Sequence, residues 1–176
     1  AAKPPEAVVK AETTVQIAVF GDTLASYLAK GLDTAFATSP DTEVLDLSRG
    51  DSGLVRKDVV DWPKVAEEQL KAHPKVGFAV VMVGVNDRQA LKEDGETHDA
   101  LSDTWRSLYS QRVDALIKVF VDRKIPLVWV DLPPVRFESM SKDLAAINDI
   151  TRERVSKAGQ TYVDVWTAFA DDANRF

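Results

Sequence analysis

The stretch VQIAVFGDTLASYLAKGL, residues 15–32, decides the fold of this chain. Its first six residues form an apolar, β-branched run that stops at Gly21, as a buried strand would. The apolar residues that follow recur at every fourth position, and this spacing places one stripe along a helix: Leu24, Leu28, Leu32 and Phe36. The stretch therefore predicts a strand, a tight turn and a helix in direct succession.

The same alternation continues along the chain. Further strands are predicted at 44–47, 76–84, 126–132 and 162–165, and amphipathic helices at about 62–71, 101–120 and 140–155. The run at 76–84 is the most continuously apolar, so we expect it at or near the sheet centre. Strands that alternate with helices imply right-handed crossovers. The predicted fold is a three-layer α/β/α sandwich with a five-stranded, mostly parallel sheet.

Length and composition predict a single domain. At 176 residues and 45% hydrophobic content, the chain can bury one substantial core. Residues 1–13 are polar and rich in Ala and Pro, so we expect a flexible arm there and a domain over 14–176. The small residues at the start are typical of the position after signal-peptide cleavage, and they favour export to a bacterial periplasm or cell envelope.

Charge and residue types exclude several classes of function. The net charge of -6 and the dispersed basic residues argue against nucleic-acid binding. The absence of Cys excludes thiol chemistry, and no apolar run reaches the roughly 20 residues of a membrane span. The turn after the first strand lacks the Gly-rich phosphate cradle of nucleotide and flavin binders, so no cofactor is expected.

Polar residues follow three of the predicted strands at their carboxyl ends, where reactive groups collect in open parallel sheets. The first loop is Gly21-Asp22-Thr23, whose hydroxyl lies at a helix N-terminus that could stabilise an oxyanion. The alternative interpretation is an ordinary helix cap. The Thr23 position is therefore a candidate site only in combination with the other two loops.

The second loop, residues 48–53 (SRGDSG), contains Gly50, which could bring a backbone N–H close to a ligand. The third loop, residues 84–88 (GVNDR), offers the Asn86 amide as a hydrogen-bond donor, and Asp87 and Arg88 are expected to pair locally. Taken alone, each of these loops is equally consistent with an ordinary polar turn.

Together the loops resemble the conserved blocks of the SGNH/GDSL hydrolases in type, order and spacing. FGDTLASYLAKGL resembles the first block, usually G-D-S-L; SRGDSGL resembles the second; and VGVND resembles the third, G-x-N-D. The resemblance extends from Val15 to about Phe169, and VWVDLPPVR and YVDVW are similar to an exported bacterial branch of the superfamily. It implies the flavodoxin-like SGNH-hydrolase fold and an activity on ester bonds.

The resemblance implies a role for each loop. Thr23 stands where the nucleophilic Ser is expected, and the Thr23 N–H, the Gly50 N–H and the Asn86 side chain would form the oxyanion hole. Thr retains a hydroxyl, but its methyl group restricts χ1 and crowds the approach to a carbonyl. Slower attack than by Ser is expected.

The last block of the family, D-x-x-H, supplies the general base and its orienting carboxylate, and this spacing is absent here. Of the two His residues, His73 is expected at the amino ends of the strands. His98 follows the third loop and is a candidate substitute base, although a surface His in a polar loop, next to Glu96 and Asp99, is the favoured interpretation.

The predicted function is that of an ester hydrolase domain for acyl or O-acetyl carbohydrate esters, impaired or inactive in this chain. The alternative is a non-catalytic module that binds a small acyl ester, an acetylated glycan or a protein partner in the same cleft. The missing block leaves three cases open: a shortened chain, a C-terminal segment or partner chain that completes the site, or a degenerate protein. Thr23 favours the third, because shortening would not change the first block.

Overall fold

The computed structural model describes residues 15–171, and the predicted arm lies outside them. In this part of the chain seven strands form: β1 (Val15–Gly21), β2 (Thr42–Asp46), β3 (Val76–Met82), β4 (Leu91–Glu93), β5 (Glu96–His98), β6 (Leu127–Val130) and β7 (Thr161–Val163). Five of them build one parallel sheet in the order β2-β1-β3-β6-β7. The predicted five-stranded sheet is confirmed, with β3 as its middle strand.

The helices of the same described part are α1 (Thr23–Ala35), α2 (Trp62–Ala72), α3 (Asp103–Asp122), α4 (Glu138–Lys157) and the single turn α5 (Trp166–Phe169). Local capping explains where three of them start. Asp22, Asp61 and Ser102 each accept a hydrogen bond from a backbone N–H in the first turn. Gly159, with φ +67, follows the end of α4 and terminates it.

The helices cover the sheet on two faces. α2 contacts α3, and α3 contacts α4, so these three form one layer. α1 joins β1 to β2 in the opposite direction along the sheet, and right-handed crossovers place it on the other face. Between the layers, Phe20 of β1 packs edge-on against Trp62 and Phe120, and all three are buried. The predicted α/β/α sandwich is confirmed.

Two short elements differ from the prediction. The segment expected to be a polar loop contains the antiparallel hairpin β4–β5, turned by Asp94 and Gly95 at φ 51 and 82. Positive φ at both central residues is the geometry of the type I′ turn, for which Asp-Gly is a preferred sequence. Strands of three residues are too short to show a period, so this dipeptide was the only available signal.

No helix of the described part is long and apolar enough to cross a membrane.

Candidate active site

Asp22 joins the first loop to the third. It is fully buried between β1 and α1, where one oxygen accepts the Leu24 N–H at 3.0 Å as the cap of α1. The other oxygen accepts the N–H groups of Gly84 at 2.8 Å and Val85 at 3.0 Å. Burial raises the pKa of Asp22 to about 6, although these backbone hydrogen bonds oppose the shift. The Asp22 side chain therefore caps α1 and also connects the first loop to the third.

Thr23 lies at the start of α1 and is exposed. Its hydroxyl donates to the Gly50 carbonyl oxygen at 2.9 Å, and its backbone N–H donates to the same oxygen at 3.1 Å. The hydroxyl and the backbone N–H of Thr23 therefore share one acceptor, the Gly50 carbonyl oxygen of the second loop.

Asn86 completes this group from the third loop. Its side-chain amide donates to the Ser52 carbonyl oxygen at 2.9 Å and also lies 3.5 Å from the Gly50 carbonyl oxygen. The structure thus brings Thr23, Gly50 and Asn86 together at the carboxyl ends of β1, β2 and β3. Parallel strands explain this, because their carboxyl ends share one edge of the sheet.

Gly50 enters this group through its carbonyl oxygen, whereas the sequence predicts its N–H as a donor. That oxygen carries a partial negative charge and accepts hydrogen bonds from both donors of Thr23. It therefore occupies the volume in which the Thr23 N–H and the Asn86 amide would hold the oxyanion of an ester intermediate. A substrate oxygen can reach them only after the Gly50 carbonyl moves away.

Asp87 and Arg88 do not pair with each other as expected. Asp87 is fully buried and accepts hydrogen bonds from Leu54 N–H and Val55 N–H, both at 2.9 Å, and from Tyr109 Oη at 2.8 Å. Arg88 instead reaches α4 and pairs with Asp143 at 2.8 Å. The local pairing fails because three donors from distant segments already surround the Asp87 carboxylate. Burial is also the main reason that the pKa of Asp87 is raised.

Three residues that sequence reasoning did not single out hold these loops in place. Tyr109 of α3 donates to Asp87, and Arg112 of the same helix donates to the carbonyl oxygens of Leu54 and Val55. A Cβ on Gly53 would lie 2.1 Å from Asp87 Oδ1, so only glycine allows this close approach. The sequence predicts that Tyr109 and Arg112 lie on one helix, but it does not predict which residues they form hydrogen bonds with.

Neither His is hydrogen-bonded to Thr23. His98 ends β5 opposite Leu91, and His73 caps the C-terminal end of α2, at the other edge of the sheet. The Thr23 hydroxyl donates its proton to a carbonyl oxygen, which is too weak a base to remove it. Within residues 15–171, no group of three His, Asp or Glu side chains could hold a metal ion.

The fold and this arrangement of loops define the class of protein. Solved structures similar to the chain include AlinE4, an SGNH-hydrolase family esterase, with 18% identity and a TM-score of 0.62 over 92% of this chain and 82% of that one. A catalytic mutant of Axe2, an acetylxylan esterase from Geobacillus stearothermophilus, has 15% identity and a TM-score of 0.63 over 91% of this chain and 80% of that one. LAE5, an α/β hydrolase enzyme from the metagenome of Lake Arreo, Spain, shares 16% identity, with a TM-score of 0.61 over 91% of this chain and 80% of that one. The chain has the SGNH-hydrolase fold.

The family follows from the sequence itself. Residues 16–176 match DUF459, described as a protein of unknown function, and the chain belongs to this family. No protein of curated function matches the chain.

Proposed function

We propose that this chain is an SGNH-type domain for acyl or O-acetyl carbohydrate esters, and that its own residues hydrolyse such esters weakly or not at all. The observation that supports an ester site is the convergence of the Thr23 N–H and the Asn86 amide on one oxygen atom, beside the Thr23 hydroxyl at the nucleophile position. Donors arranged in this way stabilise the tetrahedral intermediate of acyl transfer. The acetylxylan substrate of Axe2 supports an acetylated glycan as the substrate class.

Two features account for the weak activity in this proposal. The nucleophile position holds Thr, and its hydroxyl has no His or carboxylate as hydrogen-bond partner among the described residues. Catalytic mutants of Axe2 have been solved with substitutions at an Asp, a His and a Ser, the three residue types that the family resemblance implies. Loss of a triad member costs several orders of magnitude in rate, although oxyanion donors alone retain some catalysis.

In the proposed reaction, the Gly50 carbonyl first leaves the donors, and the substrate carbonyl oxygen takes its place. The Thr23 oxygen attacks the carbonyl carbon and loses its proton, the alcohol leaves with a proton, and water then releases the acid from the acyl-enzyme. A C-terminal segment or partner chain that supplies Asp and His would make the two proton transfers efficient. That completion stays a prediction, as does export to the periplasm or cell envelope.

The test is hydrolysis of p-nitrophenyl acetate by the full chain and by its Asn86→Ala, His98→Ala and His73→Ala variants. We expect rates close to the buffer background, with no change on His98→Ala or on the control His73→Ala, which lies at the opposite sheet edge. A rate well above background that falls in both Asn86→Ala and His98→Ala would contradict this expectation and identify His98 as the base.

The binding-module alternative is favoured by the Gly50 carbonyl, which leaves the donors satisfied without substrate. It is tested by calorimetric titration with an acetylated xylo-oligosaccharide and with its deacetylated form. Binding of the acetylated form only, without turnover and weakened by about 1–3 kcal/mol in Asn86→Ala, would decide for this alternative. Equal binding of both forms would exclude an acetyl group in the donor pocket.

A further inference from the structure

The Gly50 carbonyl belongs to a tight turn at residues 49–52. Ser52 N–H donates to the Arg49 carbonyl oxygen at 3.2 Å, which closes the turn. Neither of the two central residues, Gly50 and Asp51, is among the residues with a positive φ. A closed turn with negative φ at both central positions is type I. The peptide group that joins Gly50 to Asp51 is therefore the central peptide of a type I turn.

The two ends of this turn are held in place. Arg49 N–H donates to the Gly21 carbonyl oxygen of β1 at 2.8 Å. Ser52 is buried, and its hydroxyl donates to the Arg49 carbonyl oxygen at 2.6 Å. The Asn86 amide donates to the Ser52 carbonyl oxygen at 2.9 Å. Hydrogen bonds to β1 and to the third loop thus fix the points at which the backbone enters and leaves the turn.

The centre of the turn has fewer restraints. Gly50 and Asp51 are exposed, and the Asp51 side chain has no hydrogen bond or ion pair within residues 15–171. A Cβ built on Gly50 would meet only the Thr23 hydroxyl, at 3.6 Å. The Gly50 carbonyl is held by the donors of Thr23 and Asn86. Hydrogen bonds, and not packing, therefore determine which way the central peptide faces.

A type I turn converts to type II by a rotation of its central peptide through roughly 180°, which leaves the ends and the closing hydrogen bond in place. This peptide flip would point the Gly50 carbonyl away from Thr23 and the Asp51 N–H toward it. The flip requires a positive φ at Asp51, which Asp tolerates better than most residues with a side chain. The flipped turn would thus present a donor where the resting turn presents an acceptor.

From these observations we infer that the peptide between Gly50 and Asp51 flips when an ester binds, and that the Asp51 N–H then becomes a third donor to the substrate carbonyl oxygen. The other two donors are the Thr23 N–H and the Asn86 amide, so this inference rests on the proposed function. In the free protein the Gly50 carbonyl accepts from these donors, and in the complex the substrate oxygen replaces it. Because only the flipped turn binds the ester, the observed affinity is reduced by the fraction of flipped turns in the free protein.

Substitutions at Asp51 should change this fraction in opposite directions. Glycine adopts a positive φ freely, so Asp51→Gly favours the flipped turn, whereas the β-branched side chain in Asp51→Val favours the resting turn. Neither change removes another contact of the described chain, because the Asp51 side chain has no partner there. Calorimetric titration with an acetylated xylo-oligosaccharide should give an affinity at least about tenfold higher for Asp51→Gly than for Asp51→Val, with the parent chain between them.

Heteronuclear NMR of the free variants measures the flip without a ligand. The amide proton at position 51 lies close to the Gly50 amide proton in the resting turn and close to the Gly50 α-hydrogens in the flipped turn, so the NOE pattern distinguishes the two forms. Asp51→Gly should strengthen the second NOE and speed exchange of the Thr23 amide proton at least about threefold, since its acceptor has turned away. Exchange of the Arg49 amide proton is the control, because its bond to Gly21 survives a flip but not an opening of the loop.

Two results would overturn the inference alone. Equal affinities of Asp51→Gly and Asp51→Val would show that the flip does not control binding, and faster exchange of Arg49 together with Thr23 would show that the whole loop opens instead. A different result would overturn the proposed function: no form of the chain binds the acetylated oligosaccharide, although the NOE pattern of Asp51→Gly changes as expected. The flip would then exist, but the Asp51 N–H would have no ester oxygen to bind, and its assignment as a donor would fail with the proposed function.

Discussion

At the scale of single residues, the hydrogen bond from Tyr109 to Asp87 connects α3 to the third loop of the candidate site. Both are fully buried, and the phenol donates to the carboxylate at 2.8 Å. Burial and the neighbouring carboxylate raise the pKa of Tyr109 well above its ordinary value, so the hydroxyl stays protonated as a donor. Asp87 in turn holds Leu54 and Val55, which lie between the second loop and α2.

Tyr109→Phe should therefore destabilise the protein by about 1–3 kcal/mol, because a buried carboxylate loses one of its three donors while the ring packing is retained. Urea unfolding followed by fluorescence measures this free energy. Tyr27→Phe is the matched control: Tyr27 is 63% exposed, and its change should stay within about 0.5 kcal/mol. Equal effects of the two substitutions would show that the Asp87 contact contributes nothing.

At the scale of elements, the loops after β2 and β3 approach each other closely, so that side chains of the second of these loops form hydrogen bonds with the backbone of the first. Gly53 allows the second loop to reach Asp87, and Gly21, at φ +140, allows the end of β1 to approach Met82 of β3. Gly31 differs from both, because it lies in α1 with open space around it. Replacing a glycine by alanine should therefore destabilise the protein in the loops and stabilise it in α1.

Gly53→Ala should destabilise the protein by about 1–3 kcal/mol, since the added Cβ would overlap Asp87 and force the loop apart. Gly31→Ala should stabilise it by about 0.5–1 kcal/mol, because alanine is the better helix former and nothing obstructs its Cβ. Thermal unfolding of the two variants beside the parent chain tests both signs. A stabilising Gly53→Ala would mean that the loop does not approach Asp87 as described.

At the scale of the whole molecule, three fully buried acids with raised pKa values, Asp22, Asp87 and Asp131, lie at the carboxyl ends of the strands and link stability to pH. Burial raises the pKa of Asp22 and of Asp131 from 3.8 to about 6. Asp131 follows β6; one of its oxygens accepts Val165 N–H at 2.7 Å, and the other has no hydrogen-bond partner within the described chain but lies 3.9 Å from Arg152 Nη2. Because these folded-state values exceed the unfolded one, the folded protein binds more protons between pH 4 and about 6.

Stability should accordingly rise as the pH falls from 7.5 to 5.5, by on the order of 1 kcal/mol for each of Asp22 and Asp131, and the raised pKa of Asp87 acts in the same direction. The lowered pKa values of Asp58 and Glu93 move their titration below this window, so they do not cancel the effect. Asp131→Asn retains an acceptor for Val165 and should flatten the pH dependence of the unfolding temperature. An identical slope in parent and variant would contradict the role assigned to Asp131.

The sequence by itself determined the order and type of the main elements. Continuous apolar runs and apolar residues at every fourth position are local patterns, so β1, α1 and the central position of β3 could be derived from them. The proximity of Thr23, Gly50 and Asn86 could also be predicted from the sequence, because the carboxyl ends of parallel strands lie together. The short hairpin β4–β5 was missed because three residues are too few to show a period.

Only the tertiary structure decided which atoms meet at that edge. Leu54 and Asp87 lie 33 residues apart and Gly84 and Asp22 lie 62 apart, so neither contact leaves a local pattern in the chain. The orientation of the Gly50 carbonyl depends on backbone dihedrals that these distant contacts restrain, and no residue type specifies it. Residue types identify the groups that are available for chemistry, whereas long-range packing determines where each donor points.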